Sequence, residues 1–130
     1  MKKIAFLLLG LVLSVSVAVA QDKKAAPKAE FESGVHDFGK IKESDGVVTC
    51  TFKFKNTGNA PLIIQRVQAT CGCTTPSYTK EPVLPGKEGT ITVNYSAKGN
   101  VGAFEKRLTI FTNVPDEVYI LTIKGEVQLK

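Results

Sequence analysis

The sequence predicts an all-β protein: an immunoglobulin-like antiparallel β-sandwich of about seven strands, preceded by a cleaved signal peptide. Three observations carry this. From Glu30 onward the apolar residues recur at every second position, the period that sends successive side chains to one face of a strand. Helical spacing is nowhere sustained. Turn chemistry falls between the alternating runs, in "NTGNAP", "PSYTKEPVLPG", "AKGNVGA" and "TNVPDE". Pro27, Pro61, Pro76, Pro82, Pro85 and Pro115 are all read outside strand interiors, where a missing N–H would break the ladder.

The chain opens on "MKKIAFLLLGLVLSVSVAVA", in which Lys2 and Lys3 precede 17 uncharged residues that end in the small-x-small pattern Ala18-Val19-Ala20. That pattern predicts a secretory signal, residues 1–20, cut after Ala20. The apolar stretch is shorter than the roughly 20 residues that span a bilayer, and no basic cluster follows it, so no membrane attachment is expected after cleavage. No cysteine follows the cut, which argues against a lipid anchor. Residues 21–28, polar and alanine-rich, read as a disordered leader, and residues 29–130 as the folded domain.

Within the domain, "EFES" and "VHDFGKI" form a short opening pair of strands. In "GVVTCTFKFKN", Val48, Cys50, Phe52 and Phe54 alternate with Thr49, Thr51, Lys53 and Lys55, which makes one face core and the other wet. "PLIIQRVQA" and "RLTIFTN" are apolar enough to be strands, with no phase fixed by their pattern. "TITVNYSA" places Ile91, Val93, Tyr95 and Ala97 on one side, and "VYILTIKGEVQ" does the same for Tyr119, Leu121, Ile123 and Val127.

Removal of the signal leaves 110 residues, enough for one core, with 15 basic against 12 acidic side chains. A net charge of +3, spread singly along strands, suits solubility. Nucleic-acid binding would ask for clustered Lys and Arg with stacking aromatics, and is not expected.

Taken together, "HDFGKI", "FKFKNTGNAPLII", "ATCGCTTP", "LPGKEGTITVNY" and "LTIFTNVP…LTIKGEV" resemble the bacterial exported family called domain of unknown function 1573. The resemblance runs from about Phe31 to Val127, and "CGCT" is its most specific element. The proline- and glycine-bearing motifs also resemble the wider class of sandwiches that includes major sperm protein and pilus chaperones. The resemblance implies export to the bacterial envelope and the sandwich fold, and it implies no particular activity.

Export leaves three cysteines, Cys50, Cys71 and Cys73. Cys50 is in phase with Val48, Phe52 and Phe54 and reads as a small core hydrophobe. Cys71 and Cys73 admit three readings. They pack as inert small groups at a strand-end corner, with Gly72 permitting the bend and Thr74 and Thr75 satisfying nearby backbone groups. Or they bond to each other: residues i and i+2 of an extended strand stand roughly 6.5 Å apart, beyond the disulfide optimum, so closure needs a bend and yields a small, readily reduced ring. Or, reduced, they hold a soft ion such as Cu(I). A four-ligand zinc site would have to recruit Cys50 and the single histidine, His36, and so pull Cys50 from the core. A bridge from Cys50 to one of the pair stays open as well.

No catalytic constellation is evident. G-x-S-x-G, H-E-x-x-H and a glycine-rich phosphate loop are absent, and His36-Asp37 has no partner set by spacing. The expectation is a non-enzymatic, cofactor-free, monomeric module, periplasmic or secreted. It would bind a protein or another envelope component through loops or an exposed strand edge, near Phe31 or near Val127. The alternative is a thiol-active or Cu(I)-binding protein acting through Cys71 and Cys73.

Overall fold

The computed structural model describes residues 25–129. The expected signal peptide, its cleavage point at Ala20, and residues 21–24 of the expected leader lie outside the described residues. Eight strands form two sheets of four. Sheet I has the order β1-β3-β6-β5, built from β1 (Ala29–Phe31), β3 (Val47–Asn56), β6 (Glu88–Ser96) and β5 (Thr74–Tyr78). Sheet II has the order β2-β8-β7-β4, built from β2 (Val35–Lys42), β8 (Val118–Gln128), β7 (Gly102–Thr112) and β4 (Ile64–Ala69). A 3-10 turn over Glu43–Asp45 is the only helical element among the described residues.

The two sheets pack their alternate residues against each other. Phe52, Phe54, Ile91, Val93 and Tyr95 come from sheet I, and Leu108, Ile110, Leu121, Ile123 and Val127 from sheet II, all buried. Leu62 and Val83, from the connections, pair across an isolated bridge and close one side of the core. The period-two reading of β3, β6 and β8 therefore holds side chain by side chain. β4 and β7 take the phase that the pattern left open: Ile64, Val67 and Ala69, and Leu108, Ile110 and Thr112, turn inward.

Four features differ from the sequence reading. Thr74–Tyr78, expected as part of a proline loop, is β5, and Pro76 stands in its middle. β5 is an edge strand, and Cys73, Thr75, Ser77 and Thr79 are the residues turned to β6, so Pro76 removes only an outward N–H. β2 runs parallel to β8, the one parallel pairing among the described residues, because the chain changes sheets between β1 and β2. The strand around Val127 is flanked by β2 and β7 and is not an edge; Phe31 is on one, but β1 is three residues long. Last, residues 25–28 are ordered against the fold, with Pro27 buried, whereas the sequence places them in a disordered leader. Ala26 and Lys28 accept hydrogen bonds from Asn59 N (3.0 Å) and Thr57 N (2.9 Å). Gly58 makes this approach possible, since a Cβ there would collide with the backbone of residues 26–28.

Candidate functional site

The chemically distinctive spot is the crossing between sheets. β4 ends sheet II, β5 ends sheet I, and Thr70 to Cys73 joins them. Thr74 N donates to the Cys71 carbonyl (3.1 Å), closing a turn over Gly72 and Cys73, and the Cys73 carbonyl accepts from Ser96 N (2.9 Å), which anchors the turn to β6. The turn shortens the Cα separation of Cys71 and Cys73 to 5.2 Å, and the two sulfurs are bonded. Of the readings open from sequence, this is the disulfide at a strand-end corner. Gly72 is not in the left-handed region and a Cβ on it would meet nothing, so the bend uses ordinary backbone geometry instead of glycine's freedom.

The pair is asymmetric. Both cysteines are half-buried, but only Cys73 packs against the core, with its Sγ 3.8 Å from Thr74 Oγ1. Cys71 stands outside that packing and its Sγ accepts a hydrogen bond from Cys73 N (3.2 Å). As a staple the bridge does little: closing so short a loop contributes about 1.5 kcal/mol by chain entropy, half of what a 15-residue loop gives.

The other candidates lie apart. Cys50 is a free thiol buried on β3. His36 is on β2, across the whole width of sheet II from the corner, its ring edge-on to Phe38 at 4.5 Å. Asp37 Oδ1 accepts from Gly39 N (2.8 Å) within the bulge of β2. Neither a Cys-His dyad nor a Cys3His metal set is assembled, and among the described residues no three His, Cys, Asp or Glu side chains converge. Soft-metal binding by Cys71 and Cys73 would first require the bridge to open.

Burial pushes the Cys50 thiol up from 9.0 to about 11. The folded chain therefore holds its proton where the unfolded chain has lost it, so the contribution is complete below pH 9 and fades as the pH rises toward 11. Between pH 8 and 10 the urea-measured stability is expected to fall by roughly 1 kcal/mol on this account, and Cys50→Ala should flatten that slope. An unchanged slope in the variant would assign the alkaline loss to other groups.

The outer faces of the two sheets differ in kind. Sheet I presents Thr49, Thr51, Thr90, Thr92 and Asn94, with Thr49 Oγ1 donating to Asn94 Oδ1 at 2.7 Å. Sheet II presents Val35 (49% exposed), Val118 (53%) and Ile120 (50%) together. The register sets Val118 beside Phe111, Ile120 beside Thr109, and Val35 beside Thr122, so these side chains form one patch across β2, β8 and β7. Arg66 lies over the Phe111 ring at 4.1 Å, and Arg107 borders the patch next to Thr122. Sequence reasoning missed this face, although a signal exists: "VYILTI" is apolar at both phases, which in a two-layer fold leaves one apolar set outside.

A family model described as "Protein of unknown function (DUF1573)" matches residues 29–127. Comparison with curated proteins finds no match. Among solved structures, a protein of unknown function from Porphyromonas gingivalis W83 superposes with a TM-score of 0.69 at 18% identity, covering 78% of this chain and 47% of that one. The chain thus spans about half the length of that neighbour. The seventh PapD-like (ASH) domain of human CEP192 gives 0.66 at 8% identity, covering 81% of this chain and 88% of that one. The Vibrio cholerae VesB protease gives 0.58 at 12% identity, but only 32% of its chain is covered. At these identities the likeness is one of fold alone, a β-sandwich like those of the PapD-like neighbours.

Proposed function

The chain belongs to the DUF1573 family, and from that premise we propose that it is an exported, non-catalytic sandwich module of the bacterial envelope that docks a protein partner on the outer face of sheet II. One observation carries the reading: the largely polar outer face of sheet I, with Val47 exposed at one end, is opposed by an apolar patch of Val35, Val118, Ile120 and Phe111 with Arg66 and Arg107 at its border. Depletion of charge at the centre with aromatic and arginine enrichment is the composition of an interface core.

Strand edges support recognition less well. β2 carries a bulge between Asp37 and Lys40 and the charges Lys40 and Lys42, β4 a bulge between Ile64 and Arg66, and β5 carries Pro76, all devices that discourage strand addition. The face is therefore the better platform.

Magnitudes say what kind of partner fits. Covering three half-exposed aliphatic side chains contributes roughly 1 kcal/mol each, well below the roughly 4–15 kcal/mol that association costs. The partner must then also engage the Arg66 and Arg107 guanidinium groups, which calls for carboxylates beside an apolar centre.

A photo-crosslinking residue at Thr109, on the patch, is expected to capture a discrete envelope protein in the producing bacterium, and one at Thr51, on sheet I, to capture none. Val118→Glu with Ile120→Glu should abolish the Thr109 adduct while leaving stability within about 0.5 kcal/mol, as surface substitutions do. The same purified material should begin at Gln21 by mass spectrometry. Equal capture from both faces would reject the docking face, and a retained N-terminus would reject export.

A further inference from the structure

We propose that Cys71 and Cys73 form a thiol–disulfide exchange site that oxidises a dithiol of an exported protein, Cys71 carrying the mixed disulfide and Cys73 serving as the first leaving thiol. The site is separate from the docking face and stands on its own observations.

The bridge occupies the connection between two edge strands, and the backbone there is held independently of it. The Thr74–Cys71 turn bond and the Ser96–Cys73 bond to β6 are made by backbone groups alone, so neither uses the sulfurs. Opening the bridge costs the fold only the small chain-entropy contribution of a very short loop. A disulfide that is partly exposed and structurally dispensable is the labile kind.

The asymmetry of the pair assigns the roles. Cys73 packs against the core on one side, whereas Cys71 of the same half-buried pair does not, which favours attack at Cys71. Once reduced, Cys71 keeps the hydrogen bond from Cys73 N, a donor aimed at its Sγ that stabilises the thiolate and hence the reduced form. Stabilising the reduced form makes the disulfide an oxidant. Cys50, the remaining thiol, is buried and cannot intercept the intermediate.

The step balances as follows. A partner thiolate attacks Cys71 Sγ, forming the mixed disulfide, and the electron pair of the broken S–S bond passes to Cys73 Sγ, which takes a proton beside the Thr74 hydroxyl. The partner's second thiolate then attacks its own sulfur in the mixed disulfide and expels Cys71 as a thiolate under the Cys73 N–H. Two electrons move from the partner dithiol to the Cys71–Cys73 pair; of the two protons the partner thiols give up, one ends on Cys73 and the other in solvent while Cys71 stays a thiolate, and the partner leaves with a disulfide. The exchange is stoichiometric. Depressions around Gly125 and around Phe31 lie away from the corner, and a protein dithiol is the class of partner that brings its own surface for recognition.

The exported chain, oxidised and carrying Cys50→Ala, is incubated across ratios of reduced to oxidised glutathione, alkylated and weighed. Both redox forms are expected to coexist within the accessible ratios; a pair that stays oxidised throughout would overturn the proposal. With oxidised glutathione, Cys73→Ser should form its mixed disulfide faster than Cys71→Ser, since only Cys71 Sγ faces a backbone donor. The reverse order would overturn the assignment of roles. Should either variant fail to fold, peptide mapping of the first glutathione adduct on the unsubstituted pair decides the same point, Cys71 expected and Cys73 refuting.

Discussion

Replacing Asn56 by alanine is expected to destabilise the domain by about 3 kcal/mol, and the thermal midpoint to fall by about 10 °C or more. Asn56 ends β3 and is fully buried. Its side-chain nitrogen donates to the carbonyls of Ala60 (2.7 Å) and Val83 (2.8 Å), and its oxygen accepts from Gly58 N (2.9 Å) and Lys28 N (3.3 Å). All four positions of the amide are used, and they tie together the N-terminal segment, the turn after β3 and the loop before β6. Alanine leaves the Val83 carbonyl with its bond from Leu62 N but strips partners from Ala60 O, Gly58 N and Lys28 N. Each orphaned group costs about 1–3 kcal/mol where water does not reach it. Asn56→Asp should be at least as damaging, since it turns an oxygen toward two carbonyls. Urea unfolding measures the loss, and faster amide exchange at Lys28 and Gly58 locates it. A loss below about 1 kcal/mol would mean that water replaces the side chain and that the hub is not structural.

The same residue shows where sequence reading stops. "NTGNAP" is recognisable as a turn, yet nothing in the alternation says that residues 25–28 come back to lie along it, because "AAPKA" has no period of its own and its order comes from contact with Gly58 and Asn56. The sandwich itself is legible wherever one face is buried and the other wet, as in β3 and β6, since burial at every second residue has no other geometric solution. β5 is illegible because "TTPSY" combines a weak pattern with a proline, and only its edge position makes that proline harmless. β4 hides its phase in a bulge between Ile64 and Arg66, which shifts the alternation. The Cys-Gly-Cys corner announces its chemistry by residue type, but which of three sulfur pairings forms depends on where the turn places Cα atoms. The apolar outer face depends on sheet neighbours: Val118 and Ile120 are unremarkable in one strand and become a patch only beside Val35 and Phe111.

Gly125→Val is expected to cost about 2–3 kcal/mol even though valine is the better strand former. Gly125 sits in β8 directly across from Phe104 of β7. The Phe104 ring covers the space where a side chain would be and stacks on Tyr95 at 4.0 Å, joining the two sheets. A Cβ on Gly125 would meet the Phe104 ring and the Gly39 carbonyl at 2.9 Å. That carbonyl belongs to the bulge of β2, where Gly39 takes a positive φ of 67° and the Asp37 carboxylate holds its N–H, so it has little freedom to retreat. Intrinsic strand preference spans about 1 kcal/mol across residue types, which overpacking of 1–3 kcal/mol, with loss of the ring stack in addition, exceeds. Alanine, which adds the offending Cβ and little else, should already lose stability. Phe104→Leu combined with Gly125→Ala should lose less than the sum of the two single changes, because the shorter side chain withdraws one of the two colliding groups while the Gly39 carbonyl stays. Urea midpoints of the four proteins test this: a Gly125→Ala variant as stable as the parent, or strict additivity, would show that the space over Gly125 is not held by the Phe104 ring.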